Sequence, residues 1–442
     1  MDRRQFIKSA GLGAAAVGVA ACAPKKVLEG ATVAVTYEGG EMKQNYPGVG
    51  LLGYGCMRWP EVKGEDGKRH IDQNQVNALI DKAMANGINY YDAAPTYLQG
   101  DCERATAEAL NRYPRESWML ATKLSNFSDY SFKNSVAMYR HSLETFKTDY
   151  IDFYLLHSIS TLEDFQRRFE STGMLDFLLK EREAGHIRNL GFSFHGDPAS
   201  FDALMALHDK YHWDFVQIQM NYVDWTHAGG RNTDAEYLYA ELDKREIPIV
   251  IMEPLRGGRL SNMPAALSDM LKAKEPGRSI ASWAFRFVGS FPRVMCVLSG
   301  MTYMEHLDDN LATYKHFKEV SEEEKALLEE VADLMETYPL VRCTDCKYCM
   351  PCPYGIDIPG IFKFYNDNVN AGTFVQSKEQ EGYARARRKY LLAYNEAIPT
   401  VRQADHCISC GKCSRNCPQR IAIPRELRRI DQYIESLKQE TL

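Results

Sequence analysis

The 442-residue chain has no uninterrupted apolar run near the ~20 residues that a bilayer-spanning helix requires. It also lacks a surplus of positive charge. Lys and Arg number 53 against 59 Asp and Glu, a formal net charge of −6, so nothing points to nucleic acid as a partner. No G-x-G-x-x-G follows the first strand-like run, so the phosphate-binding fingerprint of a doubly wound dinucleotide sheet is missing. No flavin motif is visible, nor an internal repeat, nor a low-complexity segment beyond the N-terminus. Hydrophobic content of 45% with 25% charged residues is that of an ordinary globular chain, long enough for two domains.

What the chain does have is cysteine, unevenly placed: eight of its twelve fall in two short runs. The first is Cys343-Thr-Asp-Cys346-Lys-Tyr-Cys349-Met-Pro-Cys352-Pro, and the second is Cys407-Ile-Ser-Cys410-Gly-Lys-Cys413-Ser-Arg-Asn-Cys417-Pro. The second has the C-x2-C-x2-C-x3-C-P spacing of bacterial two-cluster ferredoxins; the first has x2 before its final Cys-Pro. Three thiolates at this spacing each take one corner of a cubane, and the Pro-flanked fourth reaches the other cluster. That rule predicts two [4Fe–4S] clusters with crossed ligation. Cys343, Cys346, Cys349 and Cys417 would hold one; Cys407, Cys410, Cys413 and Cys352 would hold the other. A zinc site and a set of disulfides are the alternatives. Zinc usually draws on two CxxC pairs rather than on four-cysteine runs closed by Cys-Pro. Disulfide frameworks serve small secreted domains whose cores are insufficient.

The N-terminus reads Asp2-Arg3-Arg4-Gln5-Phe6-Ile7-Lys8, followed by a Gly/Ala-rich run from Ala10 to Ala21. This resembles a twin-arginine export signal, with Asp2 and Ile7 as mild departures. Val19-Ala20-Ala21-Cys22 resembles a lipobox, in which Cys22 would be acylated and become the mature N-terminus. Export of an already folded protein suits clusters assembled beforehand, so the expected location is periplasmic or membrane-anchored by lipidation. A basic terminus with an incidental cysteine is the plainer alternative.

Between these ends the pattern alternates regularly. Short apolar runs lie at Gly50–Met57, Ile88–Ala93, Trp118–Lys123, Ile151–His157, Leu190–Ser193, Phe215–Gln219, Ile247–Met252 and Arg293–Leu298. Helical periodicity fills the gaps, as at Asn74–Ala85, Phe132–Phe146, Ala199–Lys210 and Ala235–Lys244. Eight strand–helix units predict an α/β protein built on a (β/α)8 TIM barrel, a fold of ~250 residues. Helical stretches at 384–394 and 423–438 make the tail a small, mostly α-helical ferredoxin-like domain. The expected division is a signal over 1–22, a tether over 23–46, the barrel over 47–320, a connecting helix over 321–340 and the two-cluster domain over 341–442.

In such barrels catalytic side chains sit at the C-terminal ends of strands. Asp92, Lys123 and His157 end the second, third and fourth runs, and Tyr97 follows five residues after Asp92. With these four in order, residues 47–317 resemble the aldo-keto reductase superfamily. The resemblance implies an oxidoreductase acting on a small-molecule carbonyl or alcohol. Tyr97 would be the general acid, Lys123 the cation that brings its phenol down from a pKa near 10, Asp92 the partner of Lys123, and His157 the residue orienting the carbonyl.

The resemblance also places Gly55, Cys56 and Met57 beneath a nicotinamide of NADP(H) or NAD(H), with Ser193 and Gln217 on its carboxamide. Arg256, with Gly257-Gly258, would receive a pyrophosphate, and Asn310 the adenine. The chain departs from the family pattern at four places: Phe194 stands for an Asn, Met252 for a stacking aromatic, and Gly300 and His306 for a Lys and an Arg. Neither of the last two can grip a 2′-phosphate as Arg does. Cys102, near Tyr97, would line the pocket or pack in the core; Cys296 is expected as a small buried hydrophobe. Hydride moves two electrons together, whereas each cluster accepts one. An oxidoreductase that dispenses with nicotinamide and serves a redox partner, and a non-catalytic electron carrier, are therefore the competing functions.

Overall fold

Along a β-strand successive side chains point to opposite faces, and that two-residue period organises this molecule. In the computed structural model, which describes residues 42–230 and 232–442, eight parallel strands close into a barrel. The N-terminal export and lipobox motifs, Cys22 included, lie outside the described residues. The strands are β1 (Leu52–Gly55), β2 (Tyr90–Asp92), β3 (Met119–Leu124), β4 (Ile151–Ile159), β5 (Ile187–Phe194), β6 (Phe215–Gln219), β7 (Ile249–Met252) and β8 (Val294–Ser299). Pairing of β1 with both β2 and β8 seals the ring. Each predicted apolar run supplies one strand.

Tyr90, Ala121, Phe153, Leu155, Phe215, Val250 and Cys296 fill the barrel interior. The Phe153 ring centroid lies 4.9 Å from that of Tyr90 and 5.2 Å from that of Phe215. Gly191 leaves the space that Phe215 takes on the neighbouring strand. Tyr91, Leu120, Tyr154 and Val216, each one residue away from an interior position, belong instead to the outer core under the helices. Two residues beyond the interior set, the same inward face brings Asp92, Lys123, His157, Ser193 and Gln217 to the C-terminal mouth. A polar layer therefore caps an apolar one.

The helices follow from their caps and stripes. Ser131 accepts from the Asn134 amide to start Phe132–Phe146, which buries Val136, Tyr139 and Phe146. Glu322–Glu336 opens on a capping box between Ser321 and Glu324. The predicted helix 199–210 is instead Pro198–Met205 and a short turn His208–Tyr211, because the Leu207 amide bonds the Leu204 carbonyl three back and tightens the chain there. A hairpin pairing Glu61–Lys63 with Arg69–Ile71 was not expected from the sequence.

In the tail, helices Ile358–Asn370, Tyr383–Ala397 and Ile423–Gln439 share a second core. The last buries Ile423, Leu427, Ile430, Ile434 and Leu437, one stripe at helical spacing. The expectation of no internal repeat is corrected here. Asp345 and Lys347 flank Cys346 with left-handed φ of 52° and 63°; Ser409 and Gly411 flank Cys410 with φ of 59° and 71°. Three residues after each Cys-Pro cysteine the chain turns left-handed again, at Gly355 and Arg420, whose amides bond the carbonyls of Cys352 and Cys417 at 3.0 and 3.1 Å. Ile356-Asp357-Ile358-Pro359 and Ile421-Ala422-Ile423-Pro424 then each lead into a helix with Pro in its first turn. The tail is one loop–helix unit used twice.

Candidate active site and cluster centres

Lys123, at the end of β3, is fully buried, and its ammonium donates to Asp92 Oδ1 at 2.6 Å and to the Ala93 carbonyl at 2.8 Å. These are the contacts of an ion pair with a second acceptor. Burial pushes the Asp92 carboxyl up and Lys123 pulls it back. Tyr97 stands beside them, its ring centroid 4.9 Å from Lys123 Nζ and 5.7 Å from the His157 ring. Burial, then the neighbouring phenol of Tyr348 and the Asp92 carboxylate, hold the Tyr97 phenol well above its usual value. The expected cation is in place beside Tyr97, its ammonium shared with Asp92 and Ala93, and burial outweighs it: the phenol is held in its protonated form.

His157 is buried, and burial followed by the charges of Lys123, Arg168 and His195 drives its imidazole well below the ordinary histidine pKa. It is neutral. Its Nδ1 lies 2.5 Å from Ser125 Oγ, so Nε2 is the nitrogen left for the cavity. Arg168, 2% exposed in the π-helical turn Gln166–Glu170, donates to the His157 carbonyl at 2.8 Å and to Asp164 at 2.9 Å. The sequence reading missed Ser125 and Arg168. Ser125 had a signal: it lies two residues beyond Lys123 on the same strand period.

One cavity of about 1110 Å³ unites these groups. Asp92, Tyr97, Lys123 and His157 line it together with Gly55, Met57, Ser193, Gln217, Met252, Gly300, His306 and Asn310. Gln217 Oε1 is buried without a partner, as a waiting acceptor for an amide would be, and Asn310 donates to Ser299 Oγ at 2.9 Å. Two predicted cofactor residues are placed elsewhere. Cys56 is fully buried, with its Sγ 3.7 Å from the Tyr54 carbonyl. Arg256 is turned away from the cavity by its left-handed φ of 47° and sits buried beside Asp224 at 3.2 Å and Glu336 at 3.7 Å. Gly257 is covered by the Thr344 backbone. Ser193 and Gln217 thus fit a nicotinamide amide, whereas of the expected pyrophosphate grip Gly257 and Gly258 line the cavity and the Arg256 side chain does not. Cys102 is fully buried and bonds the Cys56 carbonyl at 3.3 Å, so it belongs to the core.

The cavity has a further wall. Cys346 and Tyr348 of the first cysteine loop, and Arg415, Asn416 and Pro418 of the second, close it from above. The tail is fixed there by Arg58 donating to the Thr344 carbonyl at 2.5 Å, by Gln419 donating to Gln219 at 3.2 Å, and by the Arg342–Glu336 ion pair. Cys343, Cys346 and Cys349 each feel the thiol of Cys417 from the other run, whereas Cys413 feels Cys407. Cys417 therefore lies near the first run although it belongs to the second. Burial raises Cys346 to about 11 and Cys343 to about 12, the cost that iron offsets when it takes the thiolates. Among the described residues no three side chains converge on a single ion. A cubane takes one thiolate per iron, so its four sulfurs stand apart around it.

Comparison with known proteins decides the family. Residues 51–333 match the aldo/keto reductase family, and residues 342–422 match the 4Fe-4S dicluster domain. The chain belongs to the aldo/keto reductase family. It is an oxidoreductase with a 4Fe-4S dicluster domain behind the reductase barrel. An uncharacterised oxidoreductase of Bacillus subtilis, YqkF, is 25% identical over 309 residues, covering 63% of this chain and 92% of the relative. An L-galactose dehydrogenase of Arabidopsis thaliana is 24% identical over 315 residues, 66% of this chain and 93% of its own. In fold the reductase resembles the holo form of an aldo-keto reductase from Bacillus halodurans, with TM-score 0.52, 21% identity, and coverage of 66% of this chain and 96% of that one. A Klebsiella pneumoniae aldo-keto reductase solved with NADPH gives TM-score 0.52, 20% identity and coverage of 66% and 95%.

Proposed function

We propose that the chain interconverts a carbonyl and a secondary alcohol at Tyr97 and His157, and that its two clusters are the electron route to and from that site. One observation carries the reading: Cys346, expected to hold the first cluster, lines the cavity that holds Asp92, Tyr97, Lys123 and His157. When bound, the clusters supply one-electron transfers, and two of them match the two electrons by which alcohol and carbonyl differ. Reduction takes up two electrons and two protons: the Tyr97 hydroxyl gives one proton to the carbonyl oxygen, and water in the cavity supplies the one that goes to carbon. His157, neutral and receiving the Ser125 hydroxyl at Nδ1, donates from Nε2 to the same oxygen. The Lys123 charge beside the ring steadies the phenolate left behind. On oxidation Tyr97 takes back the oxygen's proton and the proton from carbon leaves to water as the two electrons pass to the clusters. Crossed ligation of the second cluster by Cys352 with Cys407, Cys410 and Cys413 belongs to this proposal, as does export through the Arg3-Arg4 motif with lipidation at Cys22.

The ordinary nicotinamide-dependent reductase is the second reading, favoured by the unpartnered Gln217 Oε1 beside Ser193 in the cavity wall. One experiment separates the two. Anaerobic protein with both clusters is mixed with candidate alcohols while cluster absorbance is followed, then titrated with NADPH and NADH while nicotinamide fluorescence is followed. Bleaching by an alcohol with no added nicotinamide is the expected result. Bleaching by no alcohol, with tight binding of either nicotinamide, would overturn the first reading in favour of the second.

A further inference from the structure

The tail carries exposed features that the active site does not use. Tyr354, Val401 and Ile408 are 47%, 74% and 59% exposed. Ile408 follows Cys407, Tyr354 lies two residues after Cys352, and the Val401 carbonyl is 3.8 Å from where a Cβ on Gly355 would stand. Cys410 is itself exposed. Large apolar side chains in solvent, gathered around the cysteines of one predicted cluster, mark a surface made to be covered.

The charge along this stretch is mostly positive. From Val401 to Arg429 there are seven Lys and Arg against two Asp and Glu, in a chain whose net charge is −6. Lys412, Arg425 and Arg428 are exposed, whereas Arg415 lines the barrel cavity and Arg420 faces Asp197. Arg428 donates to Ser409 Oγ at 2.9 Å, which fixes its charge against the Cys407–Cys410 loop. The two acids do not offset the rest: Glu426 is shared by Arg429 at 2.8 Å and Arg425 at 3.5 Å, and Asp405 lies 3.8 Å from His406.

We propose that this face docks a one-electron carrier protein whose surface is acidic around its own redox centre. An apolar centre with a charged rim is the anatomy of a protein contact site, and small electron-transfer encounters bury little area. Opposite charge then raises the encounter rate and selects the partner. The inference rests on the clusters being the electron route.

The test starts from full-length protein carrying both clusters, reduced with dithionite, so that barrel chemistry plays no part. Electron transfer to an acidic flavodoxin and to a basic c-type cytochrome is followed by stopped flow at rising ionic strength. The flavodoxin rate is expected to fall about tenfold as salt screens the attraction, and the cytochrome rate to rise. Lys412→Glu with Arg425→Glu should reverse both trends, with iron content and cluster spectrum unchanged. Rates to flavodoxin that ignore both salt and the charge reversal would overturn the proposal. So would a reversal that leaves those rates intact while abolishing co-sedimentation with anionic phospholipid vesicles. Failure of the electron-route reading is seen separately, as alcohols that never bleach the clusters.

Discussion

Thr344 closes over Gly257: its carbonyl fills the space that a Cβ on Gly257 would need, and Arg58 donates to that same carbonyl at 2.5 Å. The cluster loop is thereby seated on the barrel where a dinucleotide phosphate grip was expected, and Cys346 is brought into the wall of the substrate cavity. Gly257 also has φ of 69°, a conformation that side chains other than glycine rarely adopt. Gly257→Ala should therefore lift the loop from its seat at a cost of about 1–3 kcal/mol. The expected result is a lower unfolding midpoint and slower cluster bleaching by substrate, at unchanged iron content. An unchanged midpoint and bleaching rate would show that the seam is not structural.

Tyr97 stands beside the Lys123–Asp92 pair, and burial keeps its phenol protonated. Tyr97→Phe should lower turnover by roughly 10²–10⁴, while the unfolding midpoint and both clusters remain. Lys123→Met acts differently. It leaves the Asp92 carboxylate buried without its cation, so stability as well as turnover should fall, by about 3–5 kcal/mol. Comparing the unfolding curves of the two variants separates proton donation from ion pairing.

The two-residue strand period made much of this site legible. Asp92, Lys123 and His157 follow Tyr90, Ala121 and Leu155 by two, so knowing the strands places all three at one mouth. Arg256 was misplaced because its neighbours in sequence suggest a phosphate loop, whereas its partner Asp224 comes from the loop after β6 and cannot be anticipated from spacing. The behaviour of Tyr97 depends on burial and on Tyr348, which comes from the tail and cannot be anticipated from spacing near Tyr97. The repeat in the tail was hidden by the residue that separates x2 from x3. The shared Ile-x-Ile-Pro segments are too short to reveal it until the left-handed turns are seen.

His157 gives the barrel a pH dependence whose sign follows from its burial. Burial and the cations Lys123 and Arg168 place its folded-state pKa well below 6.5, where the unfolded chain titrates. Below pH 6.5 the unfolded chain binds a proton that the folded one refuses, so this contribution to stability is complete above 6.5 and declines as pH falls. The slope is about 1.4 kcal/mol per pH unit. His157→Gln should remove that slope between pH 6 and the folded-state pKa. Denaturant midpoints of the two proteins across this range check it; parallel curves would mean that His157 is charged in the folded state.

Cys417 is the buried cysteine of the second run, 7% exposed, and it is the one that Cys343, Cys346 and Cys349 all feel. If ligation is crossed, Cys417→Ser removes a ligand from the cluster at the substrate cavity although the residue belongs to the other sequence run. Anaerobically reconstituted protein should then drop from roughly eight irons towards four. Bleaching by substrate should cease, while the remaining cluster still takes an electron from dithionite. Cys410→Ser should do the reverse, sparing the cluster beside Tyr348 and its response to substrate while removing the exposed one. If Cys417→Ser instead leaves substrate bleaching intact, ligation follows sequence order and the shared wall at Cys346 is not the point where electrons enter.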